Sequence, residues 1–292
     1  MTTPILITAS DAGFFDLLRG LLRSIETHRG EQEVSIGVLD LGLSRDQRVW
    51  LEERVTHIVE PGWDLEVPQE QREANPLARG LTARPFLPRY FPGYETYMWI
   101  DADVWLQDWR GVELYLTGVR RGCFTIATHS DRAYRYHPAY GEYFYRDFAA
   151  GYGEKFARAV TPHPQLNAGI FAARPDAPIW ERWAETYQEG ISRSGGTMLN
   201  DQCALNVAFY RQPPRTELLS ALYNWQCHLM LPYWDPNRGK FCEPYLPNDT
   251  ISMLHLTDIT KNEVFDICGL DGRIRRMRLR YPDRRKVPET AE

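Results

Sequence analysis

An apolar run that ends in two aspartates constrains the fold of this chain more than any other stretch. Tyr97–Ile100 is apolar and aromatic, which predicts a strand buried on both faces. Asp101 and Asp103 follow it, and residues two apart on an extended backbone lie on one face, roughly 6–7 Å apart. Such a pair can hold a divalent cation that also contacts a phosphate oxygen. Ligands of open α/β sheets bind at strand ends, which favours a metal site over a solvated turn.

Strands and helices alternate in the first 60 residues. Strands are predicted at residues 4–9, 34–41 and 57–60, and helices begin near Phe14 and at the capping box Ser44–Gln47. This alternation predicts a parallel sheet with right-handed crossovers. The absence of Gly-x-Gly-x-x-Gly and Walker loops argues against a nicotinamide enzyme or a P-loop NTPase. Because no glycine-rich loop is present to bind phosphate, a nucleotide bound to this sheet would need a metal ion at its diphosphate more than it would in those proteins.

Composition narrows the class of protein and its partners. The chain has 292 residues, a net charge of −5 and 13% aromatic residues. The length suits one large α/β domain with an appendage, and the negative charge argues against nucleic acid as a partner. The aromatic surplus suits a large core or a carbohydrate site. Five scattered cysteines, no signal peptide and no membrane-length apolar run predict a cytoplasmic protein with reduced thiols.

Three segments have an unusual composition. Residues 61–76 contain three prolines and many charges, which predicts a surface loop. Residues 131–163 are rich in tyrosine and phenylalanine and are too irregular for one long helix, so we predict a lid over an acceptor or a self-packed subdomain. Residues 273–286 are basic with interleaved apolar side chains, which predicts either contact with an anionic membrane or a solvated edge strand.

Polar residues stand at the ends of three later predicted elements. A buried strand at 166–173 begins with Asn167, and another at 250–256 contains His255 near its end. A helix opens at Asn200–Gln202 with an acid in its first turn, and a capping role alone could explain Asp201.

Five ordered segments resemble the motifs of GT-A-fold glycosyltransferases, and most of all the retaining family 8 that includes galactosyltransferases, glucosyltransferases and glycogenin. The segments are Thr8–Asp11, Thr82–Arg84, Asp101–Asp103, Leu166–Gly169 together with Asn200–Gln202, and His255–Lys261. Each alone is weak, but in this order they cover most of residues 4–261. The resemblance implies an α/β fold of the GT-A (Rossmann-like) type with a mixed, mostly parallel central sheet.

The resemblance also implies a role for each matched residue. The metal ligands would be Asp101, Asp103 and His255, a set that suits Mn²⁺, with Mg²⁺ as the competitor. The nucleotide-sugar would be bound by Ala9, Asp11, Arg84, Ala102 and Lys261, with the lysine on the diphosphate. The residues around the donor sugar would be Asn167, Asp201 and Gln202. Asp258 stands where the family has glycine, and its carboxylate would repel the diphosphate unless it points away.

These implications define the expected organisation and activity. We expect a catalytic domain at residues 1–262, with 131–163 as an insert, and a basic extension at 263–292. The expected activity is metal-dependent transfer of a hexose from a nucleotide-sugar, UDP-linked, to a glycan or glycolipid, with retention of configuration. The protein would then work in the cytoplasm or peripherally on the inner face of the membrane.

Three other hypotheses stay open at this point. An inverting transferase on the same fold would need a carboxylate such as Asp131 or Asp201 as general base. A catalytically silent relative would keep the fold and bind the sugar nucleotide without transfer. A nucleotidyltransferase would need a glycine- and lysine-rich loop after the first strand, which residues 10–13 are not.

Overall fold

A seven-stranded mixed sheet forms the centre of the protein. The structure is a computed structural model that describes residues 3–135 and 138–282. Its strands are β1 (Ile5–Ser10), β2 (Ser35–Asp40), β3 (His57–Val59), β4 (Tyr97–Ile100), β5 (Val104–Leu106), β6 (Phe124–Thr128), β7 (Leu166–Ala173), β8 (Thr216–Leu219), β9 (Trp225–Gln226), β10 (Tyr233–Asp235), β11 (Lys240–Cys242), β12 (Met253–His255), β13 (Phe265–Cys268) and β14 (Ile274–Met277). The central sheet has the order β3-β2-β1-β4-β7-β6-β8. β7 is antiparallel to both neighbours, and the other pairs are parallel, so the predicted mixed, mostly parallel sheet is confirmed.

Helices cover both faces of the sheet. They are α1 (Phe15–His28), α2 (Arg45–Glu52), α3 (Gln69–Ala74), α4 (Arg79–Thr82), α5 (Leu87–Tyr90), α6 (Arg110–Arg120), α7 (Pro138–Tyr152), α8 (Glu154–Val160), α9 (Ile179–Arg193) and α10 (Asp201–Arg211), with 3-10 turns at Pro76–Ala78, Arg84–Phe86, Ala221–Tyr223 and Asp258–Lys261. Side chains of α1, α2 and α6 form the core on one face. Those of α5 and α7 to α10 form the core on the other.

Strand β4 lies near the middle of the sheet and is fully buried. Tyr97 and Trp99 point into one core, while Met98 and Ile100 point into the other. The prediction of a strand buried on both faces is therefore confirmed. Because β1 and β4 are parallel neighbours, their carboxyl ends meet at one edge of the sheet, where Asp101 emerges.

A second, three-stranded sheet brings a distant histidine to the same edge. β12 pairs antiparallel with β5 and parallel with β9. His255 is the last residue of β12 and lies opposite Val104, the residue that follows Asp103. The predicted strand at 250–256 is thus shorter than expected, and its pairing with β5 positions His255 beside the aspartates.

Two predictions about irregular segments were wrong. Residues 61–76 include helix α3 and the start of a 3-10 turn rather than an unbroken loop. Residues 131–163 contain the 15-residue helix α7. Phe144, Phe148 and Tyr152 recur every four residues and are buried in the main core, so the many other aromatic residues obscured a true helical period.

Helix α7 also supports the helix that contains Asp201 and Gln202. Asn200, the N-cap of α10, donates from Nδ2 to the Tyr143 hydroxyl at 2.8 Å and to Asp147 Oδ2 at 2.6 Å. Its own Oδ1 accepts from the backbone N–H of Cys203. The start of α10 is therefore held by side chains of α7 as well as by its own cap.

The C-terminal segment packs against β5. β13 and β14 form an antiparallel hairpin, and the Trp105 indole N–H donates to the Leu279 carbonyl at 2.8 Å. Of the basic segment 273–286, residues 274–277 form strand β14, in which Ile274 is 69% exposed, and 283–286 lie outside the described residues. Among the helices that the structure describes, none combines the length and apolarity needed to cross a membrane.

We expect Phe148→Ala to lower the free energy of unfolding by about 3–5 kcal/mol, because it empties a fully buried site between α7 and the main core. Urea unfolding followed by circular dichroism measures the loss. Tyr245→Ala is the matched control, since that ring is 45% exposed and its loss should cost about 0.5 kcal/mol or less. Equal effects of the two substitutions would contradict the packing of α7.

Candidate functional site

A cavity of about 680 Å³ opens at the carboxyl ends of β1 and β4. Seven of the residues predicted to bind donor or metal line it: Ala9, Asp11, Arg84, Asp101, Ala102, Asp103 and Lys261. They come from four separate parts of the chain, which the parallel sheet and the second sheet bring together. His255, Asn167, Asp201 and Gln202 lie behind this lining and support it.

Two aspartates and a histidine converge at the floor of the cavity. Asp101 follows β4, Asp103 precedes β5, and the turn between them is closed by a hydrogen bond from Val104 N–H to the Asp101 carbonyl at 3.0 Å. His255 Nε2 lies 3.3 Å from Asp103 Oδ1 and 3.6 Å from Asp101 Oδ2. One possible ligand atom from each residue lies within 4.8 Å of the other two, a separation that one divalent cation can bridge.

The orientation of His255 suits metal binding. Its Nδ1–H donates to Asn224 Oδ1 at 2.9 Å, and Asn224 Nδ2 donates in turn to Asn167 Oδ1 at 2.8 Å. These two hydrogen bonds keep the proton of the imidazole on Nδ1 and leave the Nε2 lone pair directed at the two carboxylates. The imidazole is therefore held by the side-chain amide of Asn224, which is held in turn by the side-chain amide of Asn167. All three side chains are buried.

Gly169 leaves the space in which the three groups meet. A Cβ on this residue would lie 2.3 Å from His255 Cε1 and 2.9 Å from both Asp101 Oδ2 and Asn167 Oδ1. Its backbone is also used, because the Gly169 carbonyl accepts from Asp101 N–H at 2.8 Å. The donor set and the space around it fit a hard or borderline divalent cation such as Mn²⁺ or Mg²⁺.

Lys261 gives the site a cation next to the carboxylates. Its ammonium lies 3.0 Å from Asp103 Oδ2, on a 3-10 turn that follows β12. Burial alone would raise the pKa of Asp103, but His255 and Lys261 outweigh burial and hold that pKa at about 2. Asp103 is therefore ionised at neutral pH and available as a ligand.

Arg84 binds two carboxylates at once. Its guanidinium donates to Asp101 Oδ1 at 2.6 Å and to Asp201 Oδ2 at 2.8 Å, and it also reaches the Ala168 carbonyl at 3.3 Å. The guanidinium lies 4.5 Å from the centre of the Trp99 ring, and the Trp99 indole N–H donates to Asp101 Oδ1 at 2.8 Å. Burial would lower the pKa of Arg84, but the two aspartates raise it, so the group stays charged.

Asp201 is an ion-pair partner rather than a helix cap. The N-cap of α10 is Asn200, so the capping explanation for Asp201 was wrong. Asp201 is 5% exposed, and burial raises its pKa while Arg84 opposes that rise. Its carboxylate thus links α10 to Arg84 and, through Arg84, to Asp101.

Asn167 and Gln202 form an amide network next to the histidine. Gln202 Oε1 accepts from Asn167 Nδ2 at 3.2 Å and from Ala168 N–H at 3.0 Å. Asn167 Nδ2 also lies 3.2 Å from His129 Nε2. Burial lowers the pKa of His129 to about 3, so this imidazole is neutral and accepts from the amide. The three side chains define the polar wall next to the aspartate pair.

Three of these residues were not predicted from the sequence. Asn224 stands in a segment without a repeating pattern, so only the folded structure reveals its contact with His255. His129 follows the end of β6, which runs in the same direction as β4, so its place at this edge of the sheet could have been predicted. Trp99 could have been found, because it lies two residues before Asp101 and therefore on the same side of the extended chain.

Asp258 does not line the 680 Å³ cavity, although it stands close to Lys261 in sequence. It is exposed and lines a neighbouring cavity of about 690 Å³ together with Tyr140 and His228, whose rings stack at 5.1 Å. Its φ of 52° is the left-handed conformation that glycine adopts most easily and aspartate tolerates. The backbone shape is therefore the one that favours glycine, and the carboxylate faces a different space.

The fold is similar to that of solved glycosyltransferases. A crystal structure of the galactosyltransferase LgtC with donor and acceptor sugar analogs aligns over 88% of this chain and 88% of its own, with 15% identity and a TM-score of 0.53. An active-site mutant of LgtC aligns over 87% of each chain, with 14% identity and a TM-score of 0.53. The apo structure of the bifunctional glycosyltransferase WbbM aligns over 88% of this chain and 46% of its own, with 14% identity and a TM-score of 0.54.

No protein-family model and no curated protein sequence matches the chain. The structural neighbours therefore establish the fold, and the expected GT-A fold is confirmed.

We expect Arg84→Met to lower the free energy of unfolding by about 3–5 kcal/mol, because it leaves the buried carboxylate of Asp201 and the partly buried carboxylate of Asp101 without this countercharge. Urea unfolding in the presence of EDTA measures the loss. Adding Asp201→Asn to Arg84→Met should recover about 1 kcal/mol or more, since one of the two charges is then removed.

Arg174→Met is the control for this cycle, because Arg174 pairs with Asp176 at 3.2 Å on the surface and its loss should cost about 1 kcal/mol or less. If the double variant were no more stable than Arg84→Met alone, the pairing of Arg84 with Asp201 would be refuted.

Proposed function

We propose that this protein is a metal-dependent glycosyltransferase that transfers a hexose from a UDP-linked donor, with retention of configuration, to a glycan or glycolipid. The observation that supports this most is the convergence of Asp101, Asp103 and His255, with Lys261 beside them, at the floor of a cavity in a GT-A fold. The cavity has the size of a nucleotide-sugar site.

The metal would be held by Asp101, Asp103 and His255. Mn²⁺ or Mg²⁺ bound there supplies a positive charge that stabilises the diphosphate as it leaves the sugar. Asn224 keeps His255 in the tautomer that a metal ligand needs. Arg84 fixes Asp101 by binding one of its two oxygens, so the other oxygen faces the site.

Lys261 would bind the diphosphate. Its ammonium contacts Asp103 Oδ2, and its side chain is 23% exposed and lines the cavity. A bound diphosphate would compete with Asp103 for this ammonium, while the cation takes over the charge of the carboxylate. The uracil and ribose would lie between β1 and the turn of Asp101–Asp103, against Ala9, Asp11 and Ala102.

Retention of configuration agrees with the carboxylates around the site. Both candidates for an inverting general base are already engaged: Asp201 binds Arg84, and Asp131 accepts from the backbone N–H groups of Ala133 and Ala221. We assign no covalent nucleophile. In this scheme the leaving phosphate oxygen takes the acceptor proton, and the Gln202 carbonyl dipole, oriented by Asn167, lies against the positive anomeric centre.

The acceptor would enter from the side of α7. We propose residues 1–262 as the catalytic domain, with 131–163 as the insert that covers the acceptor, and 263–292 as a basic extension. Tyr140 of α7 and His228 line the 690 Å³ cavity next to the donor site, where a stacked aromatic surface suits a sugar. A glycolipid acceptor would bring the extension, through residues 273–286, to the inner face of the membrane.

Calorimetric titration of UDP tests the donor site. We expect UDP to bind in the presence of Mn²⁺ and to bind at least about tenfold more weakly in EDTA, because the diphosphate then meets uncompensated carboxylates. Asp103→Asn should abolish both the effect of Mn²⁺ on UDP binding and the transfer reaction. Asp176 is exposed and lies after the opposite end of β7, so Asp176→Asn should change neither.

Binding of UDP without transfer from any UDP-hexose would favour the silent relative. If the wild-type protein binds UDP equally well with and without Mn²⁺, the proposed metal dependence is refuted. If it binds another nucleotide more tightly than UDP, the donor carries that nucleotide instead.

The anomeric configuration of the product tests the mechanism. We expect the new glycosidic bond to keep the α or β configuration of the donor, because the attack takes place on the face from which the diphosphate leaves. Proton NMR of the anomeric signal in the first minutes of the reaction measures it. A product of opposite configuration would require an inverting base and would refute the assignment of Asp131 and Asp201 as structural groups.

A further inference from the structure

A second cavity, which the proposed reaction does not use, lies between helix α1 and the C-terminal segment. Its volume is about 520 Å³. Four arginines line it: Arg19 and Arg23 from α1, and Arg278 and Arg280 from the residues after β14. Two elements that are more than 250 residues apart in the chain thus direct their positive charges into one space.

The cavity is positive although the protein as a whole is acidic. Two aspartates, Asp16 and Asp103, also line it, and each is already paired with a cation: Asp16 with Arg19 at 3.0 Å and Asp103 with Lys261 at 3.0 Å. Arg19 and Lys261 compensate these carboxylates, while Arg278 and Arg280 have no carboxylate partner among the described residues, so positive charge is in excess. This excess is unexpected in a chain with a net charge of −5.

Helix α1, β5 and the C-terminal segment around this cavity are held together by contacts that are already present in the structure. The Trp105 indole N–H binds the Leu279 carbonyl, the Tyr281 hydroxyl lies 3.0 Å from Thr27 Oγ1, and the rings of Tyr281 and Trp105 contact each other at 5.5 Å. Arg280 donates to the Lys261 carbonyl and to Asn262 Oδ1. The cavity therefore needs no large rearrangement to accept a ligand.

The guanidinium of Arg19 has an N–H group that can still donate a hydrogen bond. One of its terminal nitrogens binds Asp16, but its buried Nε–H has no acceptor among the described residues. A guanidinium with a remaining N–H can form the paired hydrogen bonds that phosphate oxygens accept. The lining also contains the apolar side chains of Leu17, Val104, Trp105 and Leu256.

We propose that this cavity binds a phosphoryl group, as a phosphate ion or as the phosphate of an anionic phospholipid. The phosphate oxygens would be bound by Arg19 and Arg278, with Arg280 supplying further positive charge. The apolar side chains of the lining would contact the carbon atoms of an ester when one is present. The site is distinct from the donor cavity, with which it shares only Asp103 as a lining residue.

The test uses the double variant Arg19→Gln/Arg278→Gln on the full-length protein. Its matched control, Arg120→Gln/Arg193→Gln, removes two arginine charges from α6 and α9, away from both cavities. Inorganic phosphate is titrated calorimetrically in EDTA, and sedimentation with phosphatidylcholine vesicles is compared with and without phosphatidylglycerol. Repeating both in the Asp101→Asn background separates this site from the donor site, because no metal-dependent binding is then involved.

We expect phosphate binding, vesicle binding or both to weaken by about tenfold or more in the cavity variant and by less than about twofold in the control. Loss of phosphate binding identifies a soluble phosphate ligand. Loss of binding to phosphatidylglycerol vesicles, without phosphate binding by the wild-type protein, identifies a lipid headgroup.

The proposal is overturned if the wild-type protein binds neither probe, or if both double variants lose binding equally and only total charge matters. Circular dichroism checks that the variants fold. If the double variant does not fold, Arg278→Gln alone replaces it, because Arg278 is exposed and its side chain forms no hydrogen bond or ion pair with the described residues. Unchanged binding by that variant would equally overturn the proposal.

Discussion

The double ion pair of Arg84 is the interaction on which the rest of the site depends. One buried guanidinium compensates Asp101 at the end of β4 and Asp201 at the start of α10. Without it, the buried carboxylate of Asp201 would lack a countercharge and would lie near the carboxylate of Asp101, at a cost of several kcal/mol. The same contact orients Asp101 so that one oxygen is left for a cation. Stability of the fold and geometry of the site therefore rest on the same charges.

Local patterns predicted the elements that begin or end with a clear signal. The capping box at Ser44 and Gln47 forms as expected, with both reciprocal hydrogen bonds. Strand β4 could be predicted because four apolar residues precede the aspartates, and β7 because an apolar run follows Asn167. The site residues on the sheet could be predicted from the sequence, since strand ends place them at one edge.

Long-range contacts could not be predicted from local pattern. Asn224 orients His255 across 31 positions of sequence, and its neighbours have no period that marks a strand or a helix. Helix α7 was missed because the exposed Tyr143 and the partly buried Tyr145 flank its buried Phe144, so hydrophobicity alone does not show which face is inside. Arg84 was selected from three nearby arginines by resemblance, whereas its two carboxylate partners became visible only in the folded chain.

Strand β7 runs antiparallel to its neighbours, and this direction determines which segment of the chain leads into the site. Parallel strands present their last residues at the site, but β7 presents its first, so Asn167 and Gly169 enter the site before the strand crosses the sheet. The chain must therefore arrive at that edge from the preceding segment, residues 131–163. Lengthening or shortening this segment would change what stands over the cavity while every register in the sheet stays the same. Because α7 also packs into the main core, only changes in this segment that keep Phe144, Phe148 and Tyr152 would alter the space over the cavity without loss of that packing.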